Sequence, residues 1–187
     1  MLDRHLAFPP GSGGLSAAEC QTALSLAVDL STSGQPGKVG AGELVPEVRR
    51  SAVSWLEHSS DSAWLFSRVY SLAFAANDAA NWDFDLSGPY RNLQIATYTD
   101  TDLGMYDWHL DLGDGNARVR KISVAIELAA ADEGGILQFR PGPNPRSIAA
   151  IPGTAVVFPA FLPHRLTPVT RGRRVSLVSW ICGPQFR

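Results

Sequence analysis

An α+β fold is predicted for this chain, with N-terminal helices packed on the larger sheet of a double-sheet jelly roll. Helical periodicity is confined to residues of about 15–80, and short apolar segments separated by Gly, Pro and Asp follow over about 81–182. The 187 residues are 45% hydrophobic and 18% charged, which is enough for a buried core and excludes a disordered chain. Because no internal repeat is found, a single domain over residues 1–187 is expected.

Composition also limits the partners. The formal net charge is -2 and no long basic run occurs, so nucleic acid is not an expected partner. A membrane is not expected either, because the chain has no stretch of about 18 consecutive apolar residues. The N-terminus has no apolar core of a signal peptide, and Cys20 and Cys182 make neither a disulfide framework nor a zinc cage. A cytoplasmic location is therefore the expectation.

The first helix begins after a segment rich in Pro and Gly, residues 1–14, which is predicted to be an irregular arm. Ser16 and Glu19 have the spacing of a capping box and predict a helix from there to about Leu30. Its apolar positions form a predicted buried stripe: Ala23, Leu24, Leu26, Ala27 and Leu30.

Next, residues 31–42 are predicted to form a loop, because they are rich in Gly, Ser and Pro. Periodicity does not decide whether Val48–Leu56 is a strand or a short helix. A second helix is predicted over Ser62–Ala80, with a stripe at helical spacing: Leu65, Val69, Leu72 and Ala76.

After Asn81 the pattern becomes that of strands. In the segment 121–128, aliphatic residues alternate with a second face made of Lys121, Ser123, Ala125 and Glu127. Eight strands are predicted: Trp82–Leu86, Leu93–Tyr98, Trp108–Leu112, Lys121–Leu128, Ile136–Phe139, Thr154–Phe158, His164–Val169 and Arg173–Ile181.

Two histidines and one aspartate are the candidate metal ligands. His109 and Asp111 are two residues apart, so on a strand both side chains project from the same face. His164 follows a Pro-rich turn and opens a late strand, which a jelly roll can bring beside the first pair. Two imidazoles and a carboxylate that leave coordination positions open suit non-haem Fe(II). Taken alone, a His-x-Asp pair occurs often by chance and is usually a hydrogen-bonded pair without a metal.

Arg174 is the candidate anion-binding residue. It lies ten residues after His164 in an apolar strand, on the same face as Ser176, Val178 and Trp180. A guanidinium inside a sheet requires an anionic partner. A bound dicarboxylate could be that partner, with the Ser176 hydroxyl as a further donor. The alternatives are an internal Asp or Glu, or a side chain that points to solvent.

The order His-x-Asp, distal His and Arg-x-Ser resembles that of the Fe(II)/2-oxoglutarate dioxygenases of the prolyl 4-hydroxylase superfamily, especially the bacterial PKHD-type hydroxylases. The resemblance covers Asn81 to Trp180, about half of the chain. It implies that the jelly roll is a double-stranded β-helix. The matching stretches are residues 93–98, 104–111, 120–123, 134–135 and 164–176.

This resemblance implies the activity and the site. The implied reaction is hydroxylation of an unactivated C–H bond of an amino acid, peptide or small natural product, with O2 consumed, succinate and CO2 released, and ascorbate as a supporting reductant. His109, Asp111 and His164 would bind Fe(II). Arg174 would act with Ser176 on the distal carboxylate of 2-oxoglutarate, and Tyr98 would face this cosubstrate. Asp111 favours hydroxylation over chlorination, because related halogenases have a small residue in its place.

The substrate pocket is less well specified by the sequence. Its candidates also fit plain core packing: Gln94, Tyr106, Trp82 and Trp180. Two positions depart from the family pattern. Ile136 stands where an acidic residue is frequent, and Glu127 stands where an aromatic or neutral residue is usual near the cosubstrate.

Two other functions remain open at this point. One is a non-enzymatic jelly-roll protein that binds a metal or a small acid, which would not need an internal Arg174 and Ser176. The other is a zinc-dependent hydrolase on the same ligands, which would need a general base near the metal that the sequence does not identify.

Overall fold

The computed structural model describes residues 4–31, 34–39, 42–89, 91–140 and 142–186. Two helices and fourteen strands are found in this part of the chain, so the predicted mixture of helices and sheets is confirmed. The helices are α1 (Ala17–Ser31) and α2 (Ala63–Ala79). The strands are β1 (Leu6–Phe8), β2 (Gln35–Pro36), β3 (Arg49–Arg50), β4 (Ala52–Leu56), β5 (Leu93–Thr99), β6 (Met105–His109), β7 (Arg120–Ala129), β8 (Glu133–Gly134), β9 (Leu137–Phe139), β10 (Arg146–Ser147), β11 (Ala155–Pro159), β12 (His164–Leu166), β13 (Val169–Arg171) and β14 (Arg173–Cys182).

All strand pairs in the described residues are antiparallel. A seven-stranded sheet has the order β1-β11-β7-β14-β5-β4-β2, and a five-stranded sheet has the order β10-β9-β12-β6-β3. A two-stranded ribbon pairs β13 with β8. Along the chain, β5, β7, β11 and β14 belong to the larger sheet, whereas β6, β9 and β12 belong to the smaller one. The chain therefore crosses repeatedly between the two sheets.

Strand β7 shows why the two faces of the larger sheet differ. Ile122, Val124 and Ile126 are fully buried in the main hydrophobic cluster, which includes residues of both helices. The alternate residues Ser123 and Glu127 are also buried, on the opposite side of the strand. One face of β7 thus packs in the aliphatic core, and the other presents polar groups.

Both helices contact the larger sheet. Helix α2 contacts β7, β11 and β14, and helix α1 contacts β4 and β7. The predicted stripe of α2 is buried in full: Leu65, Val69, Leu72 and Ala76. In α1, Ala23 is buried and Leu24 and Leu26 are partly buried, whereas the side chains of Ala27 and Leu30 lie outside the described residues.

The start of α1 agrees with the sequence prediction. The Ser16 backbone N–H donates to Glu19 Oε2 at 2.7 Å, and the Glu19 backbone N–H donates to Ser16 Oγ at 3.2 Å. These two bonds are the reciprocal contacts of a capping box. The region left open, Val48–Leu56, forms strands β3 and β4. The predicted loop 31–42 lies partly outside the described residues, and its residues 35–36 form β2.

The prediction of a strand over Trp82–Leu86 is wrong. Asn81 and Asp83 have φ angles of 52° and 55°, which a strand does not accommodate. The Asn77 side chain meanwhile takes both backbone groups of Phe84: its Nδ2 donates to the Phe84 carbonyl at 3.0 Å, and its Oδ1 accepts from the Phe84 N–H at 3.1 Å. Backbone groups that a strand would pair with a neighbour are satisfied by one side chain instead.

Two other boundaries differ from the prediction. The arm over residues 1–14 is not wholly irregular, because Leu6–Phe8 pairs with β11. The strand predicted to end at Val169 ends at Leu166, before Pro168, which has no N–H to donate to a ladder.

Across the described residues, no helix is both long enough and apolar enough to span a lipid bilayer.

Candidate metal centre and cavity

The three predicted ligands meet at the end of the smaller sheet. His109 is the last residue of β6, His164 is the first residue of β12, and the two lie opposite each other in the antiparallel pair. Asp111 lies two residues beyond β6. Its Oδ1 is 3.8 Å from His109 Nε2, and its Oδ2 is 3.6 Å from His164 Nε2. One ligand atom from each residue fits within 4.8 Å of the others, which is a spacing that can hold a metal ion.

The position of Asp111 does not come from strand geometry. The strand was predicted over Trp108–Leu112, but it spans Met105–His109. The backbone N–H groups of Asp111 and Leu112 both donate to the carbonyl of Ala160, each at 2.9 Å. Shared donation to one carbonyl ends the ladder and bends the chain, so the carboxylate still turns toward the two imidazoles.

Backbone carbonyls fix the orientation of both imidazoles. His109 Nδ1 donates to the Asp107 carbonyl at 2.7 Å, and His164 Nδ1 donates to the Leu162 carbonyl at 2.9 Å. Since a carbonyl only accepts, each Nδ1 carries a proton, which in the neutral ring leaves the lone pair of Nε2 free. This is the arrangement that protein metal ligands commonly use.

Asp111 is held by groups from the larger sheet. The Ser123 hydroxyl donates to Asp111 Oδ2 at 2.6 Å, and Arg120 Nη1 donates to the Asp111 backbone carbonyl at 3.1 Å. Ser123 and Arg120 lie on β7, so these contacts join the two sheets at the site. The Ser123 contact therefore orients the carboxylate, and the Arg120 contact fixes the backbone of Asp111.

The surroundings of His109 and Asp111 favour the protonation states that a metal requires. Desolvation, together with the neighbouring His164, lowers the pKa of His109 to about 3, so this imidazole is neutral near neutral pH. Desolvation alone would raise the pKa of Asp111, but His164, His109 and the Ser123 hydrogen bond together hold it below its usual value. A neutral imidazole and an ionised carboxylate are the forms that bind metal.

Tyr106 covers one face of His109. The two rings are stacked, with centroids 3.4 Å apart and planes 10° apart. The Arg49 guanidinium lies over the Tyr106 ring, 4.6 Å from its centroid. Burial raises the pKa of Tyr106 to about 12, so its hydroxyl stays protonated and available as a donor.

A cavity of about 790 Å³ opens beside the three ligands. Its size is in the range that accommodates a small molecule. Most of the predicted site residues line it together with the metal ligands: Gln94, Tyr98, Tyr106, Arg174, Ser176 and Trp180.

Trp82 is the predicted substrate-binding residue that does not line this cavity. Its side chain is 4% exposed and belongs to the main hydrophobic cluster, where it stacks on Phe84 with centroids 6.1 Å apart. The segment that carries it is not the predicted strand, and the ring packs in the core instead of at the rim of the site.

At the deep end of the cavity, Arg174 already has an anionic partner inside the protein. Its Nε and Nη2 donate to Glu127 Oε2 at 3.0 and 2.7 Å, and its Nη1 donates to Ser176 Oγ at 3.2 Å. Arg174 and Glu127 are 5% and 8% exposed. Of the alternatives to a bound dicarboxylate, the structure contains the internal carboxylate as the partner of Arg174. Arg174 and Ser176 nevertheless line the cavity.

Several lining residues were not predicted. Trp55 is 49% exposed at the cavity and lies beside Trp180, with centroids 6.2 Å apart. The Arg120 guanidinium lies 3.7 Å from the Trp180 ring centroid. Arg49 and Lys38 add two more cations to the lining. Lys38 comes from the predicted loop 31–42, and Arg49 and Trp55 come from the segment Val48–Leu56 that was left open between strand and helix, where no motif marks them. The alternation in 121–128 did place Ser123 and Glu127 on the polar face of β7.

Comparison with known proteins gives partial sequence matches. No family model matches the chain. A PKHD-type hydroxylase of Hyphomonas neptunium is 34% identical over 82 residues, which is 41% of this chain and 37% of that protein. A second PKHD-type hydroxylase, from Alteromonas mediterranea, is 35% identical over 49 residues, 26% of this chain and 22% of that protein. The chain thus matches well under two thirds of the length of these curated relatives, and the resemblance to PKHD-type hydroxylases is confirmed.

Solved structures match over nearly the whole chain. A prolyl 4-hydroxylase of Pseudomonas putida has a TM-score of 0.72 at 19% identity and covers 96% of this chain and 92% of its own. The chain has the prolyl 4-hydroxylase fold. A prolyl hydroxylase of Trichoplax adhaerens, in complex with a hypoxia inducible factor peptide, has a TM-score of 0.79 at 18% identity, with 96% and 84% covered. A 2OG-Fe(II) oxygenase family protein of Burkholderia pseudomallei has a TM-score of 0.69 at 20% identity, with 97% and 86% covered.

Proposed function

We propose that this protein is an Fe(II)- and 2-oxoglutarate-dependent dioxygenase that hydroxylates an amino acid, a peptide or a small natural product. The observation that carries the proposal is the meeting of His109, Asp111 and His164, with both Nε2 atoms free, at a cavity that also contains Arg174 and Ser176. The partial identity to PKHD-type hydroxylases and the prolyl 4-hydroxylase fold support it. The alternation of strands between the two sheets supports a double-stranded β-helix as the core.

The donor set fits a divalent iron. Two imidazole nitrogens and one carboxylate on one side of an ion leave its other positions open, which is typical of non-haem Fe(II) oxygenases. When bound, Fe(II) would supply the activation of O2 that oxidises the substrate C–H bond, while 2-oxoglutarate leaves as succinate and CO2. Asp111 fills the position that a halide would need, which favours hydroxylation.

The deep end of the cavity fits the distal carboxylate of 2-oxoglutarate. Glu127 takes the Nε and Nη2 hydrogens of the Arg174 guanidinium and Ser176 accepts from Nη1, so one hydrogen on each of Nη1 and Nη2 is left. These two remaining donors can be offered to a carboxylate. Arg174 and Ser176 would bind this group, and Tyr98 lines the same cavity.

Residues nearer the opening would hold the substrate. Trp55 and Trp180 provide apolar walls, and Tyr106, Arg120 and Gln94 provide hydrogen-bond donors along the cavity. A peptide is bound by the similar Trichoplax adhaerens enzyme, which supports a peptide as one candidate class. These walls would orient the substrate beside the ligands and exclude water from the reacting position.

The decisive experiment measures succinate formed from 2-oxoglutarate by the Fe(II)-loaded protein in air with ascorbate. We expect slow, substrate-independent succinate formation that is lost in the His109→Ala variant, because that variant lacks a ligand. The exposed His58→Ala variant is the matched control and should keep it. Candidate substrates would then be screened by mass spectrometry for the gain of one oxygen atom.

Absence of succinate formation from a protein that holds iron would contradict the proposal and favour a binding protein without this enzymatic activity. Arg174→Lys keeps the charge and loses the planar fork, so it should raise the 2-oxoglutarate concentration needed and leave iron binding intact. Arg173 is exposed on the opposite face of β14, and its replacement by Ala should change neither quantity.

A further inference from the structure

Glu127 balances the charge of Arg174, the arginine proposed to bind the cosubstrate. Its Oε2 accepts from Nε and Nη2 of Arg174 at 3.0 and 2.7 Å, and both side chains are buried. Arg174 lines the large cavity, whereas Glu127 lies behind it and lines a small second cavity with it. The deep end of the site is therefore formed by a neutral ion pair and not by an isolated cation.

The surroundings of Glu127 offer it no other charge partner. Among the described residues that line the small cavity, Arg174 and Glu127 are the charged ones, and the rest are aliphatic or small except Thr154. Glu127 Oε1 and Thr154 Oγ1 are buried without a hydrogen-bond partner in the described residues. The Glu127 carboxylate thus depends on Arg174 alone, and the charge of Arg174 is offset even when the large cavity is empty.

A second carboxylate on the same guanidinium would face Glu127 across that group. Two like charges that share one buried cation repel each other in a medium of low polarity, so the gain from the second is smaller than from the first. A tail without charge would lose the contact with Arg174 but would also avoid this repulsion. The advantage that a lone arginine gives to a dicarboxylate is therefore reduced here.

We infer that Glu127 determines cosubstrate choice: by neutralising Arg174, it lets the site accept 2-oxo acids with an uncharged tail nearly as well as 2-oxoglutarate. The inference rests on the proposed function, because it concerns the same cosubstrate site. Glu127 would act through Arg174, without touching the metal or the 2-oxo group, and so would be a specificity-determining residue. The ligand class that the site would accept in addition to 2-oxoglutarate is a 2-oxo monocarboxylate of similar length.

The test compares two acids on the anaerobic Fe(II)-loaded protein by calorimetric titration. 2-Oxoglutarate and 2-oxopentanoate have the same carbon chain, and only the first ends in a carboxylate. For the native protein we expect their Kd values to agree within about tenfold, which is about 1.4 kcal/mol of selectivity. Glu127→Gln keeps an acceptor for Arg174 and removes the charge. This variant should lower the Kd of 2-oxoglutarate by about tenfold or more and change the Kd of 2-oxopentanoate by less than about threefold.

Glu133→Gln is the matched control, because Glu133 is an exposed glutamate that pairs with Arg171 away from the cavity, and it should change neither Kd. A native preference for 2-oxoglutarate above about a hundredfold would overturn the inference without any variant. So would an unchanged or weakened 2-oxoglutarate Kd in Glu127→Gln, while the proposed function would stand. If iron binds but neither acid does, the proposed function fails and this inference fails with it.

Discussion

Ser123 donates a hydrogen bond of 2.6 Å to Oδ2 of Asp111, and this bond joins β7 of the larger sheet to the carboxylate that follows β6. Both residues are buried. Because this bond fixes the position of Oδ2, it determines how the Asp111 carboxylate would face a bound metal. Supporting contacts of this kind contribute measurably to metal affinity in proteins.

Ser123→Ala should therefore weaken Fe(II) binding by about 10- to 100-fold with little change in fold. The measurement is an anaerobic titration of the metal-free protein. Ser179 is the control: it is a buried serine on β14, beside β7, and its hydroxyl has no partner among the described residues. Ser179→Ala should leave the affinity unchanged. Equal affinity in native protein and Ser123→Ala would show that Asp111 is oriented by other contacts.

Loss of either histidine ligand should abolish stoichiometric iron binding. His109→Ala and His164→Ala each remove one of two nitrogen donors, and the remaining pair cannot hold the ion at the same affinity. Circular dichroism should show that both variants stay folded. His58→Ala, at an exposed position, should keep a full equivalent of iron. Native iron content in both ligand variants would refute the assignment of the site.

Local signals in the sequence predicted the helices. The capping box at Ser16 and Glu19 is complete within one turn of helix, so nothing distant was needed to place the start of α1. His109, Asp111 and His164 were predicted as ligands because their order along the chain resembles a known pattern, and that role stays a prediction. The geometry of these three residues was not predictable from local sequence. Asp111 turns toward the histidines because the carbonyl of Ala160, far along the chain, accepts two backbone hydrogen bonds.

Contacts between distant segments account for what the sequence could not predict. Trp82 was placed in a strand because its segment is apolar, whereas Asn77 and two positive φ angles keep that segment irregular. The partner of Arg174 depends on the register of β14 against β7, in which Ser176 lies opposite Glu127. Alternation placed Glu127 on the polar face but gave no register between these two strands.

The ion pair predicts a stability effect that differs from the effect on cosubstrate. Arg174→Ala leaves the buried Glu127 carboxylate without a partner, which should lower the free energy of unfolding by about 3–5 kcal/mol. Urea denaturation of the metal-free protein is the measurement. Arg173→Ala removes an exposed charge from the opposite face and should change it by less than about 0.5 kcal/mol.

A second variant separates the loss of the pair from a lost fold. Arg174→Met combined with Glu127→Leu replaces both charges by apolar groups and should recover most of the stability. If Arg174→Ala costs no more than Arg173→Ala, then Glu127 is reached by water or protonated, and the pair is not the buried contact described above.

The stripe of α2 should contribute to stability through packing on the larger sheet. Leu65 and Leu72 are 0% and 4% exposed in the main cluster. Leu65→Ala and Leu72→Ala should each lower the free energy of unfolding by about 2–5 kcal/mol. Phe74 on the same helix is 53% exposed, so Phe74→Ala should cost less than about 1 kcal/mol. Losses below about 1 kcal/mol at both leucines would contradict the packing.

Acidification should destabilise the metal-free protein through His109. Burial and the neighbouring His164 lower the pKa of His109 from 6.5 to about 3, so the unfolded chain binds a proton in this range and the folded chain does not. Stability is then fully present above the unfolded pKa of 6.5 and is lost as the pH falls toward about 3. When the pH falls from about 7 to about 5.5, the titration of His109 should lower the free energy of unfolding by roughly 1 kcal/mol, while carboxyl groups remain ionised.

Urea unfolding of chelator-treated protein at those two pH values measures the effect. Burial also lowers the pKa of His5, so a part of the stability lost on acidification is common to the native protein and the variants. His109→Gln removes the titrating imidazole and should reduce the pH dependence by roughly 1 kcal/mol, whereas His58→Gln should reproduce the native dependence. Fe(II) should restore stability to the native protein at the lower pH, because the metal binds only the folded, neutral imidazole. An identical pH dependence in His109→Gln and native protein would mean that the imidazole is not buried in its neutral form, and the oriented site described above would be wrong at that residue.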